Sequence, residues 1–133
     1  FSRAVFLAVM LITAGIGSIQ TVKQNLVWQN ELSLWHHTVA KAPGNFKARC
    51  NLSIALHHAG LLEEAENEAL QATFLNPLHD TPHYIIAYIQ FQKKEFEASE
   101  TTLHKVLELN PVHSDANTLL RHIEKHRSGH ADR

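Results

Sequence analysis

Cysteine occurs once, at Cys50, so the chain can form no intrachain disulfide and carries no Cys-pair metal motif. An excess of either charge is also missing: 12 Lys and Arg stand against 13 Asp and Glu, a formal −1 with neutral histidines. No basic excess points to nucleic acid, and no acidic run marks a tail. Glycine is sparse at five residues, and no phosphate-binding glycine loop occurs. Neither a Ser–His–Asp order nor a carboxylate pair stands out. These absences leave no residue for a catalytic role and imply no cofactor. What is present is apolar: 44% hydrophobic against 19% charged fits a folded chain and argues against disorder. At 133 residues the chain suffices for one modest domain and not for two ordinary ones.

Histidine is the unusual entry in the composition. Titration of all 11 would move the formal charge from −1 to +10, so acid should alter solubility or association. A metal site is not expected. His36–His37 and His57–His58 are adjacent pairs, and neighbours on a helix diverge by about 100°. His122 and His126 have chelating spacing and, with His130, fall near the end of the sequence, where a helix frays. Solvated surface histidines are the expectation.

From Ala4 to Val22 run 19 residues without a formal charge, AVFLAVMLITAGIGSIQTV. As a helix at about 1.5 Å per residue this run spans roughly 28 Å, close to the hydrocarbon thickness of a bilayer. Arg3 and Lys23 flank it, so its charges give no orientation. Three readings stand: a membrane span, a helix packed between subunits, or a remnant of processing. The sequence opens at Phe1, which is the expectation for a processed chain or for a piece of something longer. The expected divisions are an apolar helix over 1–24, a helical repeat array over 25–127 and a frayed tail over 128–133.

The strongest signal is periodic. Pro43, Pro77 and Pro111 are separated by 34 residues each time, and close the phrases TVAKAP, ATFLNP and VLELNP. That period marks a two-helix repeat whose units stack to bury their apolar faces. The first full unit runs from Phe46 to about His79, with Leu52, Ser53 and Leu56 on its first helix and Ala65, Ala69 and Ala72 on its second. Small Ser53 and Ala65 face each other where the helices cross. Gly60 supplies the left-handed residue that ends a helix, Pro77 stops the second helix, and Asp80 is placed to cap the next, with Pro82 in its first turn.

The second unit, Asp80 to His113, puts Ala87 at the crossing, opposite Ala98 and Ser99, with Leu103 and Val106 behind. Lys94 replaces the turn glycine; a left-handed non-glycine residue costs on the order of 1 kcal/mol, so a rebuilt turn is the alternative. Single helices flank these units. One covers roughly Asn30 to Lys41 with Leu34, Trp35, Thr38 and Val39; the other covers Ser114 to about Arg127 with Leu119, Leu120 and Ile123. The array therefore reads half, full, full, half.

These residues resemble the tetratricopeptide repeat (TPR) family over about Asn30 to Lys125, most closely in NLSIALHHAGLLEEAENEALQATFLNP. The resemblance implies an all-α helix-turn-helix solenoid. The stretch VWQNELSLWHHTVAKAPGNFKARCNLSIAL resembles a narrower setting, in which the last transmembrane helix of a multi-pass protein related to protein O-mannosyltransferases runs into a tetratricopeptide tail. On that resemblance the catalytic membrane domain lies outside this chain.

The family lines a concave groove with its first helices. The resemblance then assigns Lys47, Cys50, Ile54 and His57 to a first stripe, Thr81, Tyr84, Tyr88 and Phe91 to a second, and Asp115, Thr118, His122 and Lys125 to a third. Spacings of three and four residues keep each set on one helical face. Tyr84, Tyr88 and Phe91 form a rigid aromatic surface suited to an extended peptide or a helix, or else pack between repeats. The family's clamp for a C-terminal carboxylate needs Lys and Asn where Cys50 and Ile54 stand, and an asparagine ladder that fits Asn51 fails at Ile85 and Leu119. Cys50 has no activating neighbour in sequence and reads as a buried or groove-lining thiol. The sequon Asn51-Leu52-Ser53 falls inside a helix.

The expected function is a non-catalytic, membrane-tethered scaffold whose groove binds a protein or peptide partner. The alternative is a structural subunit forming head-to-tail homo-oligomers or filaments through its complementary half-repeats and N-terminal helix, in an extracellular setting.

Overall fold

The computed structural model describes residues 29–131, with side chains placed through Ser128. The apolar run 4–22, and with it the helix expected over 1–24, lies outside the described residues, as do 132–133 of the expected tail. Among the described residues there are six helices and no strand. They are α1 (residues 29–41), α2 (Phe46–His58), α3 (Leu62–Leu75), α4 (Asp80–Gln92), α5 (Phe96–Leu109) and α6 (Ser114–Ala131). Short turns fold α2 onto α3 and α4 onto α5 as two hairpins, which stack through α3 against α4 and α5 against α6.

The 34-residue period is visible in hydrogen bonds as well as in prolines. Helices α2, α4 and α6 each begin after a residue whose side chain accepts a backbone N–H that the helix leaves unpaired. Asn45 Oδ1 takes the Ala48 N–H at 3.2 Å, His79 Nδ1 takes that of Thr81 at 3.3 Å, and His113 Nδ1 takes that of Ala116 at 3.3 Å. Four residues after each of these caps, a polar side chain bonds the carbonyl of the preceding proline. Arg49 Nε reaches Pro43 O at 2.9 Å, His83 Nε2 pairs with Pro77 O at 3.0 Å, and Asn117 Nδ2 reaches Pro111 O at 3.4 Å. The three prolines thus occupy matching places.

The cap expected at Asp80 is shifted by one residue. His79 holds the extended backbone of a cap, and Asp80 is already the first helical residue. Its carboxylate accepts from Asn110 Nδ2 at 2.6 Å instead, which ties the start of α4 to the end of α5. That bond holds the Asp80 carboxyl below its ordinary value, against the opposing effect of partial burial.

Helices α2 and α4 end alike. The Gly60 N–H bonds His57 O at 2.9 Å and the Leu61 N–H bonds Leu56 O at 3.0 Å; Lys94 and Glu95 repeat the pair with Phe91 O at 3.0 Å and Gln90 O at 2.9 Å. Gly60 has φ +79° and Lys94 has φ +65°, so the turn at Lys94 is kept in the left-handed conformation and not rebuilt. Beside it, Lys93 Nζ contacts Glu63 at 3.0 Å and Glu66 at 2.8 Å on α3, and Glu95 at 3.3 Å ahead of α5. These carboxylates, Glu66 first, raise the Lys93 pKa.

Within each hairpin the helices approach closely because the crossing residues are small. Ser53 and Ala65 are fully buried in the first, and Ala87 and Ser99 in the second. Ala98, expected at the same crossing, is exposed. A helix presents one face to its partner, and Ser99 alone takes that place.

Around the first crossing lie Leu52, Leu56, Ala69, Ala72, Ile85, Ile86 and Ile89, joined by Val39 and the half-buried Trp35 from α1. Leu34, expected in that helix's packed stripe, is 56% exposed. Around the second lie Leu103, Val106, Ala116, Leu119 and Ile123. Burying each large aliphatic side chain here contributes about 1.5–3 kcal/mol before the entropy of ordering it is subtracted. Helix α6 does not stop at Arg127; it runs to Ala131, so the expected tail begins as helix.

Candidate functional site

Helices α2, α4 and α6 carry the three expected stripes. The second and third stripes meet, because Ala87, Leu119 and Ile123 share one core and draw α4 against α6. Tyr84, Tyr88 and Phe91 on α4, at spacings of four and three, face Asp115, Thr118, Leu119 and His122 on α6 across an open recess of about 250 Å³. All three aromatics are half-buried and rest on that core while their exposed parts line the recess. Packing between repeats and presentation to solvent are therefore the work of the same rings.

Ring contacts extend the surface in two rows. His57 meets Tyr88 edge-on at 5.3 Å, Tyr88 and Tyr84 are 6.3 Å apart, and Tyr84 leans on His113 at 4.8 Å. His122 meets Phe91 edge-on at 5.6 Å, Phe91 contacts Phe96 at 5.7 Å, and Phe96 contacts His126 at 4.8 Å. Each ring is held by a neighbour, which limits its freedom to change rotamer. Burial, and after it the nearby Asp115 carboxylate and Tyr88, hold the Tyr84 hydroxyl above its ordinary pKa. Burial and the adjacent His58 hold His57 below its own.

The first stripe is not assembled in the same way. Cys50, expected to line the groove, is 5% exposed and belongs to the first core. Burial pushes its thiol up to about 11. The neighbouring Ala48 and Leu52 are buried as well, so α2 presents a broad packed face there. Lys47 is exposed and Ile54 is 39% exposed; with Thr81 and Lys125 they stand outside the recess, and His57 reaches it only through Tyr88.

Two contributors were not assigned to the groove from sequence. Leu119, which the helical pattern assigns to the core, also forms part of the recess lining. His113 caps α6 and stacks on Tyr84; its place 34 residues after His79 and 68 after Asn45 is the available signal. Among the described residues no group of three or more His, Cys, Asp or Glu is placed to hold a metal.

A larger cavity of about 720 Å³ lies between the start of α5 and the second half of α6, lined by residues including Phe96, Ile123 and Arg127. The corresponding place one repeat earlier is closed by Lys93 and the start of α5. Arg127 pairs with Glu100 as Lys93 pairs with Glu66, both partners lying 34 residues on. This cavity is therefore the space left beside α6 where it runs straight on, and we place no site in it.

No protein family and no curated protein matches the chain by sequence. Solved structures match it by shape. The first TPR domain of Spaghetti (RPAP3), bound to the HSP90 peptide SRMEEVD, superposes with a TM-score of 0.73 at 19% identity, covering 79% of this chain and 83% of that one. The TPR domain of Arabidopsis OM64 gives 0.72 at 13% identity over 80% of this chain and 88% of that one. The fold is tetratricopeptide-like. The TPR2B domain of yeast Sti1, solved with a pHsp70 peptide, agrees at a TM-score of 0.70 and 19% identity, over 77% of this chain and 87% of that one. In tetratricopeptide terms α2–α3 and α4–α5 are the two full repeats, α1 is a second helix and α6 a first helix.

Proposed function

We propose that this chain is a non-catalytic interaction module that holds a partner peptide or helix on the face of α2, α4 and α6. The observation that carries the reading is the aromatic recess between α4 and α6, where Tyr84, Tyr88 and Phe91 are fixed by the core yet open to solvent. Rigid aromatics beside a shallow trough are the usual anchors of protein–protein contacts. The solved TPR domains that share the fold and carry HSP90 or HSP70 peptides support this use of it.

The register of the repeats supports this reading over head-to-tail assembly. If α1 of a second copy packed on α6 to complete a repeat, Glu31 and Arg121 would meet at the crossing, since they lie 34 residues from Ala65 and Ala87. Both are exposed and large where the two complete hairpins have serine and alanine. With Asn117 and Glu124 on the same stripe, α6 presents a polar side in that direction, as a capping helix does.

The uncharged run 4–22 would tether the module to a membrane, and the longer resemblance would make it the tail of an O-mannosyltransferase-like multi-pass protein. Among the described residues no helix is long and apolar enough to cross a membrane, so the tether rests on that run alone. Flotation of the chain with liposomes, with and without residues 1–24, tests it; equal recovery in the soluble fraction would remove the tether. For the groove, Tyr84→Ala with Tyr88→Ala should abolish partner capture from lysate while helicity is unchanged, and undiminished capture by the double variant would eliminate the reading.

A further inference from the structure

We propose that the recess between α4 and α6 recognises a cationic side chain, arginine or lysine, carried by an extended partner segment. The inference rests on the peptide-binding reading above and adds the chemistry of the anchor. Asp115 is the lone fully charged group among the residues that line the recess, and it stands beside the Tyr84 end of the aromatic row. Its carboxylate is exposed and accepts one hydrogen bond, from Ser114 Oγ at 3.3 Å, so most of its acceptor capacity faces solvent. Two tyrosine rings lie along the approach to it, with Leu119 beneath.

That arrangement suits a long cation in two ways. The aliphatic stem covers Leu119 and Phe91, while the charged head lies over electron-rich phenol faces and reaches the carboxylate. Arginine is favoured over lysine because its planar head stacks on a ring and meets a carboxylate with two parallel N–H donors. An acidic peptide tail, such as the EEVD endings held by the RPAP3 domains, would instead bring like charge to Asp115. Lys47 and Lys125 stand outside the recess, and Arg121, whose Nη2 donates to Thr118 Oγ1 at 3.4 Å, does not line it. His122 closes the opposite end, against Phe91, so the two ends of the trough differ in charge and orient the bound segment.

The test uses the full chain and three acetylated, amidated tripeptides, Gly-Xaa-Gly with arginine, norleucine or glutamate at the centre. Binding is read from the ring-proton NMR signals of Tyr84 and Tyr88. The arginine peptide should shift those signals saturably and bind about fivefold more tightly than norleucine, with glutamate weakest. Asp115→Asn, a surface change that leaves the fold intact by circular dichroism, should bring arginine to within about twofold of norleucine, and 0.5 M NaCl should do the same. Equal binding of arginine and norleucine by the unaltered chain, or an arginine preference that survives Asp115→Asn, overturns the cationic anchor and leaves the peptide face standing. Failure of all three peptides to move either tyrosine overturns both.

Discussion

Ser53 on α2 donates its hydroxyl to the Ala65 carbonyl on α3 at 2.6 Å, whereas Ser99 on α5 donates to the Ala87 carbonyl on α4 at 2.7 Å. The two repeats have exchanged serine and alanine across the crossing, and the bond runs in opposite directions. Both arrangements keep the helices close and leave the buried hydroxyl satisfied; among the described residues no buried side-chain polar atom lacks a partner. Removing either hydroxyl loses a bond to a carbonyl without creating a large void. Ser53→Ala and Ser99→Ala should each cost about 1 kcal/mol in urea unfolding, and the double variant about 2, because the sites are separate. Ser99→Leu should cost about 3 kcal/mol by forcing the helices apart.

The turn after α4 stores a local strain that the turn after α2 does not. Lys94 holds φ +65° where Gly60 holds φ +79°. Lys94→Gly should therefore stabilise the fold by about 1 kcal/mol. Gly60→Ala should destabilise it by a similar amount through the backbone alone, since a Cβ at Gly60 meets nothing within 4 Å. Thermal melts of the two variants should move in opposite directions.

Cys50 is closed off by the first core and its thiol is pushed up from 9.0 to about 11 by burial. At pH 8 this alone lowers the thiolate fraction about 100-fold, and restricted access slows attack further. Labelling by a thiol reagent should be slow in the folded chain and rapid in urea. Rapid labelling under native conditions would mean that the first core opens readily.

His57 gives the fold an acid-sensitive point. Burial, and then His58, lower its pKa below the ordinary 6.5. Below pH 6.5 the unfolded chain takes up a proton that the folded chain resists, so unfolding binds protons and stability falls with pH. The contribution is fully present above 6.5 and is lost progressively as the pH drops below it. His57→Phe, which keeps a ring against Tyr88, should shrink the fall in urea midpoint between pH 7.5 and 5.5; an unchanged fall would assign the sensitivity to other histidines.

The period, the six helices and the alanines at the first crossing were legible in the sequence because each follows from a local rule. A proline has no N–H to give, a left-handed residue ends a helix, and apolar residues recur with the helical turn. These rules act within a few residues, and repetition every 34 residues made them unambiguous. The tertiary structure alone decided how the helices rotate about their axes. That rotation buried Cys50, exposed Ala98 and Leu34, and aimed each serine hydroxyl across its crossing. It also brought Tyr84 against His113 and Phe91 against His122, pairs 29 and 31 residues apart whose meeting no spacing rule foretells. The reason is physical: which face a helix turns inward is settled by the partner it packs on, and that partner lies a whole helix away in the chain.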